Sequence, residues 1–439
     1  MKIIVIGAGL GGLAAAWTLR SRGVTVLESS TQVGGRMRSE HVDGATMELG
    51  AQFLSSRYTV VPALARSVGI ALARVEPGTA VVREGRLRRF RSDRPLTAFT
   101  GGLLPWRAAA RAVTGLARVT SLTSGRSIDD LTAWADLDDE PAATWALRTL
   151  GPDVTQRLLE PTVHGFYFQS MADNSAVLPA AVAAFGARPG STLTIDGGLG
   201  RLPQALANHL DVRLGCPVRT VRREGGRAVV TTDSGDVRAD RVIIAVPGPA
   251  ASTMLRDADD AERRLMATPY STGLLVGIPL SRPLDVEQLG GAYGVLVHPD
   301  EPTVVAALTV ASRAHRRAAT TDLVTVMLTH RTATELASVE DHVVAAVAME
   351  ALEALHPGLG GLLPSDSARA RVVRHPHAMP SCPPGHAAAV AAYRAARRTT
   401  RQDDPVVLAG DYLGFPWTDS AAATGIWAAH VATAGTHGP

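Results

Sequence analysis

Positions 7 to 12 read Gly7-Ala8-Gly9-Leu10-Gly11-Gly12, with glycines at GxGxxG spacing. The first glycine permits a tight turn, the second lets the backbone approach a diphosphate, and the third allows close helix–strand packing. The β-branched run Ile3-Ile4-Val5-Ile6 precedes this turn and an alanine-rich segment follows it. The turn therefore offers the N–H groups at a helix start to an anion. Glu28 follows the strand-like Val24-Thr25-Val26-Leu27, 21 positions after Gly7, with Ser29 beside it. A carboxylate there can accept both hydroxyls of a ribose. These residues fit NAD and FAD alike. Two further features separate them. Gly34-Gly35-Arg36 supplies an arginine for the diphosphate from a second side, and Val407-Leu408-Ala409-Gly410-Asp411 ends a second apolar run in an acid. That acid suits ribityl hydroxyls, and a helix starting near Thr418 and Asp419 would face the pyrimidine end of a flavin. NAD needs neither feature, so FAD is the expected cofactor.

Other chemistries are excluded by count. Lys2 is the only lysine among 44 basic residues, so no Schiff-base lysine, lysine base or lysine-held water belongs to an active site. Two cysteines, Cys216 and Cys382, cannot make a disulfide framework, a CxxC pair, a cysteine-rich zinc site or a cysteine-held iron–sulfur cluster. With 41 acidic residues the net charge is only +3, so no nucleic-acid footprint is expected. His375 and His377 flank Pro376 in a proline-rich stretch without a nearby acid, which reads as a loop rather than a metal site. No metal is expected.

These residues need elements to position them. Residues 3–28 make a β-α-β unit whose helix is stopped by Gly23. From 63 to 189 the chain reads as helical and irregular, with an arginine-rich hairpin and loop over 81–94. Ser127 to Asp130 resembles a capping box ahead of Leu131 and Trp134. The longest apolar run, 177–187, is bounded by Pro189 and Gly190 and is too short to span a bilayer. Strands are expected over 218–221, 228–232, 242–246, 273–278, 304–310 and 406–409, and helices over 342–355 and 421–433. The expected fold is α/β: a doubly wound, Rossmann-like FAD-binding domain interleaved with a mixed α+β substrate domain. The expected boundaries are 1–62, 191–254 and 396–439 for the first, with 63–190 (helical) and 255–395 (sheet) for the second. The N-terminus opens directly on a strand, so a cytoplasmic protein without a leader is expected.

Taken together, the motifs resemble those of the flavin-containing amine oxidase superfamily along nearly the whole chain. To those already named the resemblance adds Glu48-Leu49-Gly50-Ala51-Gln52, Gly197 to Leu202, Pro217-Val218 and Ile243-Ile244-Ala245-Val246-Pro247. It implies that Val218 lends backbone contacts to adenine, that Gly50, Ala51 and Gln52 lie near the flavin ring, and that Ala245 joins the cofactor site. Pro161 to Tyr167 and Ala378 to His386 are similar to segments of the protoporphyrinogen oxidase branch. Counting back from Gly425, Trp417 takes the place of an aromatic wall beside the ring in the amine-oxidising branch. Trp417, His164 and Tyr167 are thus the pocket candidates, and no catalytic acid or base is named. Cys382 lies where some amine oxidases attach FAD, but it replaces an aromatic beside Pro380, so non-covalent FAD is expected.

The expected function is two-electron dehydrogenation of a mostly apolar or polycyclic small molecule, with O2 or another acceptor taking the electrons. A flavin monooxygenase using NAD(P)H, a non-redox isomerase or cyclase on a flavin scaffold, and a flavin-holding carrier are the alternatives. The arginines between 83 and 94 read as a solvated loop, with a carboxylate-bearing substrate or peripheral membrane contact as the sharper readings.

Overall fold

Ile3–Ile6 contains no polar residue and all four positions are buried, as a central parallel strand covered on both faces requires. It lies third in a five-stranded, wholly parallel sheet ordered Asp211–Arg213, Val24–Leu27, Ile3–Ile6, Arg241–Ile244, Val406–Leu408. Alternate side chains feed different cores. Ile3 and Val5 pack with the first helix, Leu10–Thr18, and the final helix, Thr418–Thr433. Ile4 and Ile6 share a core with the antiparallel meander over 218–239 and with Trp134 and Phe415. The structure, a computed structural model, describes residues 1–75, 78–91, 93–94, 96–187, 190–285, 287–315 and 321–434. Pro189 lies outside the described residues.

The second body is a seven-stranded sheet ordered Arg371–Pro380, Tyr270–Leu280, Asp322–Leu328, Val305–Val310, Gly294–Val297, Thr79–Arg83, Arg86–Phe90. One pair, Gly294–Val297 with Thr79–Arg83, is parallel, and the other pairs are antiparallel. One face packs on helix Asp341–Leu355 through Val344, Ala345, Ala348 and Leu352. The other meets Met47, Leu49 and Phe168, on the side where the two bodies join. The strands of each sheet come from separated stretches of chain, so the bodies interleave.

Three expectations change. The arginine-rich hairpin is not an appendage of a helical region but the edge of the seven-stranded sheet. Val81 and Val82 are buried there, and Glu84 and Gly85 turn at φ +55° and +64°, the two-residue turn that matches strand twist. The His375-Pro376-His377 segment is a strand, not a loop. It runs along the sheet's edge, where proline's missing N–H is tolerated, next to a register shift between Ser271 and Gly273. The capping box at Ser127 does not form. Ser127 Oγ accepts instead from Asp129 N–H at 3.1 Å, and Asp130 itself caps a 3₁₀ helix, Leu131–Leu137, by accepting from Thr132 N–H at 3.0 Å. Helix Val60–Ser67 spans the expected boundary at 62/63 and buries Val61, Leu64 and Ala65 wholly on the parallel-sheet side.

Candidate active site

The glycine turn is built by backbone contact. Gly7 leaves the first strand at φ +100°, where a Cβ would lie 2.7 Å from the Ala245 carbonyl oxygen. A Cβ on Gly12 would lie 1.9 Å from the Gly7 oxygen, and one on Gly425 1.9 Å from the Gly11 oxygen. These approaches hold strand, first helix and final helix together. Gly9 differs. It starts the Leu10–Thr18 helix with no side-chain cap, and a Cβ there would meet nothing within 4 Å. An uncapped helix N-terminus facing open space suits an anion. Gly34 and Gly35 close one side. Gly34 N–H donates to the Ala8 carbonyl at 2.8 Å, and a Cβ on Gly35 would come within 3.3 Å of Gly9 Cα.

Glu28 is held inside this turn. Its carboxylate accepts from Ala8 N–H at 2.7 Å, Ser30 N–H at 2.8 Å and Ser29 Oγ at 3.3 Å. About one of its four acceptor positions stays open for a ribose hydroxyl. The Glu28 carbonyl accepts from Cys216 N–H at 2.8 Å, which sets residues 216–218, and with them half-buried Val218, beside the same turn.

Arg36 and Asp411 form the second feature. Arg36 Nη1 donates to Asp411 Oδ2 at 2.6 Å, to the Ala378 carbonyl at 2.7 Å and to the His377 carbonyl at 3.2 Å. Asp411 is 5% exposed and also accepts from Tyr270 Oη at 2.8 Å. Burial works against the Arg36 charge, but Asp411 and Tyr270 hold its pKa above the usual arginine value. Burial, then the Asp411 charge, drives the Tyr270 phenol well above its usual range. Gly410 turns at φ +134° and donates its N–H to Thr424 Oγ1 at 3.0 Å. Ala245 N–H donates to the Ile6 carbonyl at 2.8 Å, bringing the end of its strand to the same edge.

Residues 49–52 lie over Arg36. Ala51 N–H donates to the Arg36 carbonyl at 2.8 Å, and a Cβ on Gly50 would lie 2.1 Å from that oxygen. Gln52 joins the two bodies. Its Oε1 accepts from Thr309 Oγ1 at 2.8 Å, its Nε2 donates to the Gly50 carbonyl at 2.9 Å, and its own carbonyl accepts from Tyr293 Oη at 2.5 Å.

The final helix starts at an aromatic cluster. Trp417, its N-cap, stacks on Phe415 at 4.4 Å and meets the Phe185 edge at 5.1 Å, and Phe185 meets Tyr58 at 6.0 Å. Tyr167 neighbours Tyr58 and touches Phe166, which packs on Phe53 at 5.1 Å. Burial raises the phenols of both Tyr58 and Tyr167. Trp417 Nε1 and Thr418 Oγ1 are buried without a hydrogen-bond partner among the described residues. Asp419 turns elsewhere. Its carboxylate accepts from Thr59 N–H at 2.9 Å and Val61 N–H at 2.6 Å, capping the Val60–Ser67 helix. Burial, and then the hydrogen bond with Asp129, push its carboxyl up to about 7. Only its backbone N–H, with that of Thr418, remains to face a cofactor.

His164 lies on helix Glu160–Tyr167, where burial and then His298 lower its pKa. His298 follows the Gly294–Val297 strand, and its Nε2 bonds the Gln156 carbonyl at 2.8 Å. His375 Nε2 bonds the Leu49 carbonyl at 2.5 Å, and no cluster of three metal-ligating side chains occurs among the described residues. Cys382 is buried 3.9 Å from Ser175 Oγ, and burial raises its thiol far above the ordinary range. Tyr270, Tyr58, Phe185 and Phe53 escaped sequence reasoning. Nothing in their spacing announces them, since Tyr270 meets Asp411 across 141 residues.

The open space at Gly9, the ion pair at Arg36 and the orphaned polar atoms at Trp417 and Thr418 together fit a long anionic cofactor with a hydrogen-bonding ring. Comparison with known proteins agrees. A coproporphyrinogen III oxidase of Mycobacterium tuberculosis (strain ATCC 25618 / H37Rv) is 28% identical over 449 residues, 93% of this chain and 92% of that one. A putrescine oxidase of Kocuria rosea is 29% identical over 277 residues, 56% of each chain. The chain spans little more than half the length of the amine-oxidising relatives it matches. A candidate protoporphyrinogen oxidase of Exiguobacterium sp. 255-15 shares the fold at a TM-score of 0.76 and 22% identity, over 97% of both chains. Residues 10–432 match the family of flavin-containing amine oxidoreductases, and the chain belongs to that family.

Proposed function

We propose that this FAD-dependent oxidoreductase removes two electrons from a mostly apolar or polycyclic molecule rather than from a simple amine. The observation that carries the reading is a run of packed aromatics: Trp417 at the start of the final helix meets Phe185, Phe185 meets Tyr58, Tyr58 neighbours Tyr167, and Tyr167 leads through Phe166 to Phe53. Aromatic faces stack on flat, conjugated ligands and reward area rather than charge. The chain's only lysine, Lys2, precedes the first strand, so none stands among these aromatics. The likeness to a coproporphyrinogen III oxidase along nearly the whole chain supports the same class.

FAD supplies a two-electron acceptor when bound, and its electrons pass to oxygen, as hydrogen peroxide, or to another acceptor. The chain's own residues bind and orient. The N–H groups after Gly9 and the Arg36 guanidinium take the diphosphate, Glu28 and the 216–218 backbone the adenosine, and Asp411 the ribityl chain. The N–H groups of Thr418 and Asp419 favour negative charge at the pyrimidine end. Attachment is non-covalent, because the Cys382 thiol is buried behind Ser175 and held protonated. The test is peroxide release by the yellow holoprotein from a panel of porphyrinogens, benzylamine and putrescine. Turnover of the porphyrinogens alone supports the reading, and brisk turnover of the amines alone overturns it.

A further inference from the structure

Two carboxyl groups meet behind the start of the final helix. Asp419 is 0% exposed and lies in hydrogen-bond contact with Asp129, which comes from a distant stretch of chain. Thr59 ties them together, donating its N–H to Asp419 Oδ2 at 2.9 Å and its Oγ1 to Asp129 Oδ2 at 2.5 Å. Val61 N–H supplies Asp419 Oδ1 at 2.6 Å, whereas Asp129 Oδ1 is buried without a partner among the described residues. Two carboxylates in contact resist ionising together, so the pair holds one shared proton. Neither carboxyl enters an ion pair among the described residues. Arg394 bonds Asp130 at 2.7 Å and the Leu413 carbonyl at 3.0 Å, Arg126 bonds Asp136 at 2.7 Å, and Arg57 lies over the Phe185 ring at 6.0 Å. Tyr58 faces both carboxyls, and burial, with Tyr167 behind it, keeps its phenol protonated. Asp129 is only half-buried and Thr59 is exposed, which opens the pair to water.

We propose that the Asp129–Asp419 pair is a redox-linked proton site, binding a proton from water as two electrons reach the cofactor and returning it as they leave. The site rests on the placement proposed above for the pyrimidine end of FAD, at the Thr418 and Asp419 N–H groups, and not on the substrate class. A hydride carries two electrons and one proton, so its arrival adds one negative charge at that end. The carboxyl pair stands directly behind those N–H groups, in a buried setting that screens charge weakly. Added negative charge disfavours a doubly ionised pair. The pair therefore takes one proton from water for each hydride received, and the two charges cancel. Such coupling is reciprocal, so a proton on the pair favours reduction and its loss opposes it. Burial and then Asp129 push the Asp419 carboxyl up to about 7, which sets the lower edge of the pH window in which the coupling operates. Below that window the pair keeps its proton whether or not the electrons are present.

The test is the midpoint potential of the bound flavin against pH, measured by dithionite titration with a reference dye, which involves no substrate. Above about pH 7 the reduction equilibrium of the wild type should gain up to about tenfold per pH unit, about 30 mV for a two-electron couple. Asp129→Asn, whose amide donates to Asp419, should lose this steepening. A second measurement needs no variant. Protons taken up from weakly buffered water during anaerobic reduction, counted with an indicator dye, should increase by about half a proton or more between pH 6 and 7.5. A potential that does not steepen through pH 7 overturns the inference, as does a steepening that Asp129→Asn retains or a proton count that stays level. Purified protein without bound flavin would overturn the cofactor placement and the proton site with it.

Discussion

Replacing Arg36 by Ala should weaken FAD binding and, separately, strip a buried carboxylate of its ion pair. The Arg36 and Asp411 groups touch at 2.6 Å, and Asp411 is 5% exposed. With charge centres about 4 Å apart and an effective dielectric near 20, the gross attraction is about 4 kcal/mol. The Arg36 side chain is 32% exposed, so water screening reduces this to about 2 kcal/mol. Removing Arg36 therefore leaves a buried carboxylate unpaired beside an anionic diphosphate. It also deletes one charge-assisted bond to the cofactor, about 1.5–3 kcal/mol. The ion pair is present with and without FAD, so its loss lowers stability rather than affinity, which leaves that bond, about 1.5–3 kcal/mol, or between one and two powers of ten in Kd. Asp411→Asn alone should cost about tenfold, the loss of an anionic acceptor. The double variant should bind at least about tenfold better than the product of the two single effects, because a neutral residue 411 no longer needs its partner. FAD titration of the apoproteins, followed by flavin fluorescence, reads all four corners of the cycle. Effects that multiply to within about twofold would refute the reasoning, since independent sites behave that way.

Glu28→Ala should weaken FAD binding by about 1.5–3 kcal/mol, one hydrogen bond to a charged acceptor, and an unchanged Kd would remove Glu28 from the adenosine site. Asp419 has its pKa raised in the folded state, so the stability it contributes is present below its unfolded value near 4 and is lost as pH rises through about 7. The melting temperature of the protein should therefore fall between about pH 4 and 7 and level off above, and Asp129→Asn, whose amide can donate permanently to Asp419, should flatten that fall. A slope equal in wild type and variant would contradict it. Trp417→Ala empties a packed position and should cost about 3–5 kcal/mol of stability. Trp417→Phe keeps the stack on Phe415 but removes the orphaned Nε1, so flavin content should hold while the rate of flavin reduction by substrate changes. An unchanged rate would leave Trp417 a packing residue.

What the sequence made legible is what short range decides. The strands Ile3–Ile6 and Val24–Leu27 are uninterrupted apolar runs, and the turn after Gly7 needs glycines because backbone atoms approach within 3 Å of where a Cβ would stand. Such features show in the residues themselves. Pro376 misled, because proline argues against a strand unless the strand is known to lie at an edge, which is a fact about the whole sheet. Asp419 reads as the acid of its own helix start, yet its carboxylate serves Val61, 358 positions away. The Tyr270–Asp411 bond and the Trp417–Phe185 contact likewise join elements that only the fold brings together.

Anaerobic mixing of the holoprotein with a porphyrinogen such as coproporphyrinogen III, and separately with putrescine, tests substrate class without depending on the electron acceptor. The visible flavin absorbance should bleach with the porphyrinogen, in proportion to the aromatic product formed, and should stay unchanged with putrescine. Rapid bleaching by putrescine, with none by any porphyrinogen, would contradict the account.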